Sequence, residues 1–266
     1  MENKVVWITG ASGGMGEELS LRYAKRGWRV VLSARREDEL QRVASSFDHP
    51  DRACVLPLDV TDTEAFPSLT EKVLDRFGRI DLCILNAGIS SRDYIRNTDY
   101  EVFEKLMQVN YLGTVAHTLS VLPVFRAQKS GHFAVISSLM GKFSSPGRAG
   151  YSASKHALHG FFDGLRMEEY PLIKVTLICP GFVQTDITAS ALKGDGSAQG
   201  SIDRTTAEGV PVEKAVSLMV RAIDKQKKEL VFGGFEKTGV YIKRFFPSLL
   251  DWLVLKNKKK WEIKES

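Results

Sequence analysis

The chain has little cysteine: among 266 residues only Cys54, Cys83 and Cys179 occur. An odd number at such long spacings excludes a CxxC pair and a disulfide framework. Each thiol sits in an apolar run, which predicts buried free cysteines inside strands, no metal site and a reducing compartment. Histidine is also scarce, with five in all and none after His159. No apolar run approaches the ~20 residues that a membrane-spanning helix needs. Only Met1, Glu2 and Asn3 precede the first apolar run. That leaves no room for the charged and apolar regions of a signal peptide, so none is expected and the location reads as cytoplasmic. A one-sided charge on the body is missing too: residues 1–220 carry 25 Lys+Arg against 26 Asp+Glu. Without a basic face to neutralise phosphates, nucleic-acid binding is excluded. The remaining cations crowd the end, where residues 221–266 carry 12 against 6 acids.

What is present is the composition of a globular protein, 43% hydrophobic and 26% charged. Nearly all-apolar runs at 4–9, 28–33, 53–59, 81–86, 131–137, 174–179 and 229–232 predict strands buried on both faces. Between them, apolar residues at three- and four-residue spacing predict helices over 17–25, 38–47, 63–77, 100–127, 151–170 and 213–225. The long one is expected to bend near Pro123. Strands alternating with helices give an α/β fold: a Rossmann-type doubly wound parallel sheet with helices on both faces, in a single domain. The domain is expected to span 1–235, followed by a helical basic tail over 236–266. A polar stretch over 185–209 reads as a lid or mobile loop.

The first strand runs into Gly10-Ala11-Ser12-Gly13-Gly14-Met15-Gly16 and then a helix. Glycine permits a tight turn and close backbone approach, and a helix N-terminus offers N–H groups to a pyrophosphate. The same residues form Gly10-x-Ser12-x-Gly14, a nucleophile-elbow pattern, so a serine hydrolase using Ser12 is an alternative. The absence of histidine beyond residue 159 counts against it. A second constellation is Ser138, Tyr151 and Lys155. Tyr151 and Lys155 are four apart and share a helix face. A phenol (pKa about 10) beside an ammonium is expected to ionise more easily, which makes it a usable general acid or base. Ser138 ends a strand, where open α/β sheets place their ligands, and can bond a substrate oxygen.

Together these motifs resemble those of the short-chain dehydrogenase/reductase family. Thr9-Gly10-x-x-x-Gly14-x-Gly16 is similar to its cofactor loop, and Asn86-Ala87-Gly88 to its turn after the fourth strand. Asn110 matches its long-helix asparagine. Ser138, thirteen residues before Tyr151, and Tyr151-x-x-x-Lys155 complete a tetrad, with spacing preferring Ser138 over Ser137. Pro180-Gly181-Phe182-Val183-x-Thr185 resembles the loop that meets the nicotinamide. The wording around Ser138 and Tyr151 is nearest to the 11β-hydroxysteroid-dehydrogenase-like branch and its orphan reductases.

The resemblance implies an oxidoreductase acting on CH–OH groups, with Tyr151 passing the proton and Lys155 binding ribose and lowering the tyrosine pKa. It implies that Ser138 polarises the carbonyl and that Asn110 holds a helix kink and supports a water-mediated proton path. Asp59 and Val60 would meet the adenine, and Val183 and Thr185 the carboxamide. At the end of the second strand, Ala34 stands where an NAD-type site wants an acid, and Arg35 follows. A guanidinium suits a 2′-phosphate, so NADP is expected over NAD. Met140, Phe143, Phe182 and the 185–209 segment should wall an apolar substrate pocket. A non-catalytic nucleotide-binding scaffold is the other alternative, which the complete tetrad opposes. Relatives pair through two long helices, implying a homodimer or homotetramer. In the tail, Phe245–Leu255 is apolar but short, and Lys258-Lys259-Lys260-Trp261 follows. This mix is expected to pack against the body or a second subunit, or to lie in a membrane interface.

Overall fold

The computed structural model describes residues 3–201 and 204–256. Its centre is a seven-stranded parallel sheet in the order β3-β2-β1-β4-β5-β6-β7. The strands are β1 (Val5–Thr9), β2 (Arg29–Ser33), β3 (Ala53–Val55), β4 (Leu82–Leu85), β5 (Gly131–Ile136), β6 (Ile173–Pro180) and β7 (Glu229–Phe232). The helices are α1 (Gly14–Lys25), α2 (Glu37–Ser45), α3 (Ala65–Phe77), α4 (Tyr100–Met107), α5 (Gly113–Gln128), α6 (Ala149–Glu168), α7 (Arg204–Ala207), α8 (Val212–Asp224), α9 (Thr238–Phe245) and α10 (Pro247–Lys256).

The all-apolar strands follow from the two layers they serve. Alternate side chains of β1 divide between two cores: Val6 and Ile8 face one, Val5 and Trp7 the other. On the first face α1 lays down Leu19 and Tyr23, and α8 Val216, Met219 and Ile223. On the second, α3 contributes Phe66 and Val73, α5 Val121 and Phe125, and α6 Leu158 and Phe162. The side-chain period of two in a strand and the three-to-four spacing in helices explain both sets. All three cysteines are buried and free, as their apolar surroundings predict.

Some element boundaries differ from the sequence expectation. β3 stops at Val55 rather than reaching Asp59, because Pro57 cannot donate a ladder hydrogen bond. Pairing continues on either side of it, Leu56 N to Leu32 O at 3.0 Å and Leu58 N to Ala34 O at 2.9 Å. The long helix runs on through Pro123, which sits inside α5. It is interrupted at a π-helical turn over Gln108–Leu112, between α4 and α5, where the resemblance implies a kink held by Asn110. In the tail, Pro247 begins α10, at the position where a missing N–H costs nothing. The lysine run at 258–260 lies outside the described residues.

The strand order reverses between β1 and β4. Ligands of open α/β sheets bind outside the carboxyl ends of the strands at such a switch point. Here that crevice is formed by the turns after Thr9 and Leu85.

Candidate active site

The turn after β1 is shaped by positions that only glycine fits. Gly10 and Gly14 adopt φ of +67° and +55°, a region that side chains avoid. A Cβ on Gly16 would lie 2.0 Å from Gly10 O, so α1 could not approach β1 this closely with any other residue. Asn86 locks the turn from the β4 side, its Nδ2 donating to Thr9 O (3.0 Å) and Gly10 O (3.2 Å). Thr9 Oγ1 in return accepts from the backbone N–H groups of Asn86 and Ala87, both at 3.1 Å. No side chain caps the N-terminus of α1, so the first amides of Gly14, Met15 and Gly16 are left for an anion. Thr185 hangs over this turn, with Cγ2 3.3 Å from where a Gly14 Cβ would be. These features fit a dinucleotide pyrophosphate: a cradle that a Cβ would fill, beside an open helix N-terminus.

Beyond β2 the two arginines diverge. The charge of Arg35 acts on Asp59. Burial works against ionisation of that carboxyl, but two hydrogen bonds from Thr61 and the charges of Arg35 and Lys105 hold its pKa below the usual value. Arg36, to which the sequence reading gives no role, folds back over the glycine turn. Its Nη2 donates to Ser12 Oγ at 3.3 Å and lies 3.9 Å from the place a Gly13 side chain would start. The partner of Ser12 is thus a guanidinium, which cannot serve as a general base. Val60 is held by α5, whose Gly113 permits close contact: a Cβ there would lie 2.4 Å from Val60 O.

Ser138, Tyr151 and Lys155 come from two elements. Ser138 follows β5 and caps a short turn, accepting from Met140 N at 3.1 Å, and its hydroxyl lies beside the Tyr151 phenol. Tyr151 and Lys155 project from α6, with Lys155 Nζ 5.9 Å from the Tyr151 ring centroid. The sequence predicts a lowered phenol pKa, but here it is raised. Burial is the dominant cause, opposed by the Ser138 hydroxyl and the charge of Arg148. Burial likewise lowers Lys155 to about 8. One of its three N–H bonds goes to Ile136 O at 2.9 Å. Ser137 turns the other way, into the interior, where its Oγ meets Lys155 O (3.3 Å) and His159 Nε2 (3.0 Å).

Asn110 is fully buried at the π-helical turn. Its Oδ1 accepts from Ile89 N (2.8 Å), and its Nδ2 donates to Ile89 O (2.9 Å) and Ser154 Oγ (2.9 Å). It therefore ties the loop after β4 to α6, the helix that carries Tyr151 and Lys155. Gly88 lies in the gap between them: a Cβ there would be 3.0 Å from Asn110 Oδ1 and 3.3 Å from Lys155 Nζ.

Ser138 and Tyr151 open onto a cavity of about 480 Å³. Met140, Phe143, Phe182 and Val183 line it, together with Pro180 and Gly181 at the end of β6. From the 185–209 segment Ile187, Thr188, Thr205 and Thr206 also reach it. Part of that segment is pinned to the loop after β4, through Leu192 N to Ser90 O and Arg92 N to Leu192 O, both 2.9 Å. Sequence reasoning missed the opposite wall, which α9 and α10 build with Gly239, Ile242, Leu250, Leu253 and Val254. It also missed Glu236, whose Oε1 accepts from Phe182 N (3.3 Å) and Gly234 N (3.0 Å) and so braces the turn after Pro180. No motif marks either, because both depend on the tail folding back. A second unforeseen group is His159, Cys179 and Glu229, whose ligating atoms lie within 4.8 Å of one another. Lys142 is ion-paired with Glu229 there.

Fold and site together define a doubly wound dinucleotide-binding α/β protein with a serine, tyrosine and lysine at one pocket. The family model for short chain dehydrogenases matches residues 4–196. The chain is 39% identical to a dehydrogenase/reductase SDR family protein 7-like of Drosophila melanogaster, over all of this chain and 83% of that one. It is also 39% identical to human dehydrogenase/reductase SDR family member 7, covering 98% of this chain and 79% of the relative. A short-chain dehydrogenase structure from Streptomyces avermitilis superposes with a TM-score of 0.81 at 28% identity, covering 97% and 98% of the two chains. The NADP-bound structure of ElxO matches with a TM-score of 0.66 at 30% identity, over 69% of this chain and 75% of that one. A Burkholderia phymatum structure in complex with NAD shares the fold, with a TM-score of 0.82 at 21% identity over 93% and 95% of the chains. The chain belongs to the short-chain dehydrogenase/reductase family and is an oxidoreductase acting on CH–OH groups.

Proposed function

We propose that this protein transfers hydride between NADP(H) and the carbonyl/secondary-alcohol pair of an apolar, lipid-like substrate, with Tyr151 as general acid and base. The carrying observation is the convergence of Ser138 and Tyr151 on one largely apolar cavity beside the glycine turn. When bound, the cofactor supplies or accepts the hydride. Ser138 then holds the substrate oxygen at hydrogen-bond distance from the phenol. Tyr151 donates its proton to that oxygen in reduction and removes it in oxidation. Lys155 keeps two N–H bonds for the nicotinamide ribose, and its charge favours the phenolate when oxidation requires it. Asn110 acts as a positioning residue, fixing α6 against the loop after β4. Gly10, Ser12, Gly14, Met15 and Gly16 bind the pyrophosphate, with Asn86, Ala87 and Gly88 supporting them. Asp59 and Val60 border the adenine, and Pro180, Gly181, Val183 and Thr185 the nicotinamide. Met140 and Phe182 contact the substrate. The 185–209 segment is the lid, and the chain from 236 onward completes the pocket. Exposed Leu112, Leu119 and Met167 on α5, the preceding turn and α6 support a homodimer or homotetramer. Buried free thiols suit a reducing compartment such as the cytoplasm.

The test is a carbonyl and alcohol panel with each cofactor, followed by absorbance of the reduced nicotinamide. Turnover with apolar ketones or secondary alcohols supports the reading. No turnover despite tight cofactor binding would leave a nucleotide-binding scaffold instead.

The NADP preference rests on Arg35 and Arg36, two guanidinium groups on the adenosine side of the crevice. A charge-assisted hydrogen bond contributes ~1.5–3 kcal/mol, equivalent to a tenfold or greater affinity change. Arg35→Asp should therefore weaken NADP binding by at least about tenfold and narrow the gap to NAD. Fluorescence titration with both cofactors reads this directly. Unchanged NADP affinity would leave Arg35 as a surface charge.

The raised phenol pKa also sets the pH dependence. A phenol with a raised pKa keeps its proton to higher pH, so the acid form dominates at neutrality. Ketone reduction uses that form and should be nearly flat between about pH 6 and 8. Alcohol oxidation uses the phenolate, and its kcat/KM should climb with pH across the same window. An oxidation rate that falls with rising pH would remove Tyr151 as the base.

A further inference from the structure

Two consecutive serines at the end of β5 serve opposite sides of the backbone. Ser138 lines the pocket, whereas Ser137 is buried behind it. The Ser137 N–H donates to Ile178 O at 2.8 Å, which ties it to β6. Its Oγ donates to Lys155 O (3.3 Å) and meets His159 Nε2 (3.0 Å), which ties it to α6. His159 follows Lys155 by four residues, so both side chains leave the same face of α6. Lys155 in turn donates from its ammonium to Ile136 O (2.9 Å), one residue before Ser137. Side-chain bonds therefore lace residues 136–137 to the 155–159 segment in both directions.

The turn that carries Ser138 rests on the Ser137–His159 pair. Gly141 closes that turn, and a Cβ there would lie 2.5 Å from Ser137 Oγ and 2.9 Å from His159 Nε2. Where the pair stands thus sets where the turn can lie.

The surroundings of His159 suit a fixed hydrogen bond rather than a charge or a cation. Burial is the chief reason that its pKa falls to about 4, so the imidazole is neutral near pH 7. A neutral imidazole has one donor and one acceptor nitrogen. Lys155 O can only accept, so the Ser137 hydroxyl donates to it and accepts from His159 Nε2–H. Among the described residues Nδ1 makes no hydrogen bond; Glu229 Oε1 stands 3.8 Å away and is already ion-paired with Lys142. Cys179 Sγ lies 3.7 Å from Nε2, and burial pushes its thiol pKa up to about 12. A carboxylate held by lysine and a thiol that keeps its proton are poor metal donors.

We propose that His159, acting through Ser137, is a positioning residue for the reaction: it fixes Ser138 against Tyr151 so that both address one substrate oxygen. The role rests on the proposed function. Asn110 secures α6 to the loop after β4, and the Ser137–His159 pair secures the same helix to the end of β5. A histidine that only filled core space would cost stability when replaced. One that positions Ser138 costs turnover, because misplacement is felt when the reacting groups must align.

The experiment compares the full chain with Ser137→Ala, His159→Leu, the double variant and His159→Gln. It reads kcat, KM, NADPH affinity and hydrogen exchange of the 138–142 turn. We expect each of the first two variants to lower kcat at least about tenfold, with KM and NADPH affinity within about threefold of wild type. The double variant should lose no more than the worse single one, since both remove one interaction. His159→Gln keeps an amide donor in place of Nε2–H and should recover kcat to within about threefold of wild type. Exchange in the turn should quicken in the two single variants and return with His159→Gln. Should His159→Leu fold poorly, Ser137→Ala, which removes one oxygen, carries the test. Wild-type kcat in folded Ser137→Ala or His159→Leu overturns the proposal. Equal losses in His159→Gln and His159→Leu overturn it too. If the intact protein turns over no carbonyl, that result counts against the proposed reaction. Hydrogen exchange then decides the positioning by itself, and a turn unchanged in Ser137→Ala overturns it.

Discussion

Tyr151→Phe should abolish nearly all turnover while leaving the fold and cofactor affinity in place. The change removes one oxygen from a ring that packs among Val102, Leu106 and Leu192, so the packing volume is preserved. It deletes the phenol hydroxyl beside Ser138, the group proposed to exchange a proton with a substrate oxygen. Proton transfer by a placed side chain typically contributes ~10²–10⁴-fold, or about 2.7–5.4 kcal/mol of barrier. The loss should appear in kcat, because the proton moves only in the transition state. Cofactor titration and thermal unfolding serve as controls. A variant within about threefold of wild type, with both controls unchanged, is incompatible with the assigned proton-transfer role.

The layered architecture is legible in the sequence because a strand covered on both faces has no polar alternate. Runs such as Val5-Val6-Trp7-Ile8 and Leu82-Cys83-Ile84-Leu85 admit few other readings. The chemistry at the carboxyl ends of the strands is legible for a related reason. Gly10, Gly14 and Gly16 stand where other residues would strain or clash, and Tyr151 and Lys155 share a helix face by spacing alone. Helix irregularity is not legible from spacing alone. Pro123 is the obvious breaker, yet α5 runs through it, while the break occurs at Asn110, which carries no breaker signature and where only the family resemblance implies a kink. Its cause is tertiary: Asn110 spends its side chain on Ile89 and Ser154, two segments distant in sequence.

The electrostatics of the site show the same limit. Helical spacing puts Lys155 beside Tyr151, but spacing says nothing about burial, and burial is the larger influence on the phenol. Arg36 is likewise unremarkable in the sequence, one of two consecutive arginines. Only the fold carries it back to Ser12, where the glycine turn has no basic residue of its own. The far wall of the pocket depends on a tail whose apolar residues read as a packing face or a surface anchor. In the structure the inner side of α9–α10 packs against Leu139 and Phe143, and the outer side exposes apolar residues.

Gly16→Ala tests the cofactor cradle on steric grounds alone. The added Cβ would lie 2.0 Å from Gly10 O, 2.7 Å from Gly10 C and 2.7 Å from Asn86 Nδ2. Two of these atoms are backbone, and the third belongs to the side chain that locks the turn, so nothing flexible can give way. The first turn of α1 must move off β1, or Asn86 must release Thr9 O and Gly10 O. Overpacking of this kind costs ~1–3 kcal/mol or more, which for a domain of this size lowers Tm by at least about 2–4 °C per kcal/mol. The same displacement misdirects the amides of Gly14 and Met15, so dinucleotide affinity should fall by well over tenfold for NADP and NAD alike. Gly13→Ala is the matched control. Its backbone is extended (φ 176°), and the nearest atom to a new Cβ is Arg36 Nη2 at 3.9 Å. That variant should cost under about 1 kcal/mol, the ordinary penalty of alanine at a helix N-cap. Isothermal titration with both cofactors, alongside thermal unfolding, separates the two outcomes. Equal cofactor affinity in the Gly16 and Gly13 variants would mean that the pyrophosphate does not bind at this turn.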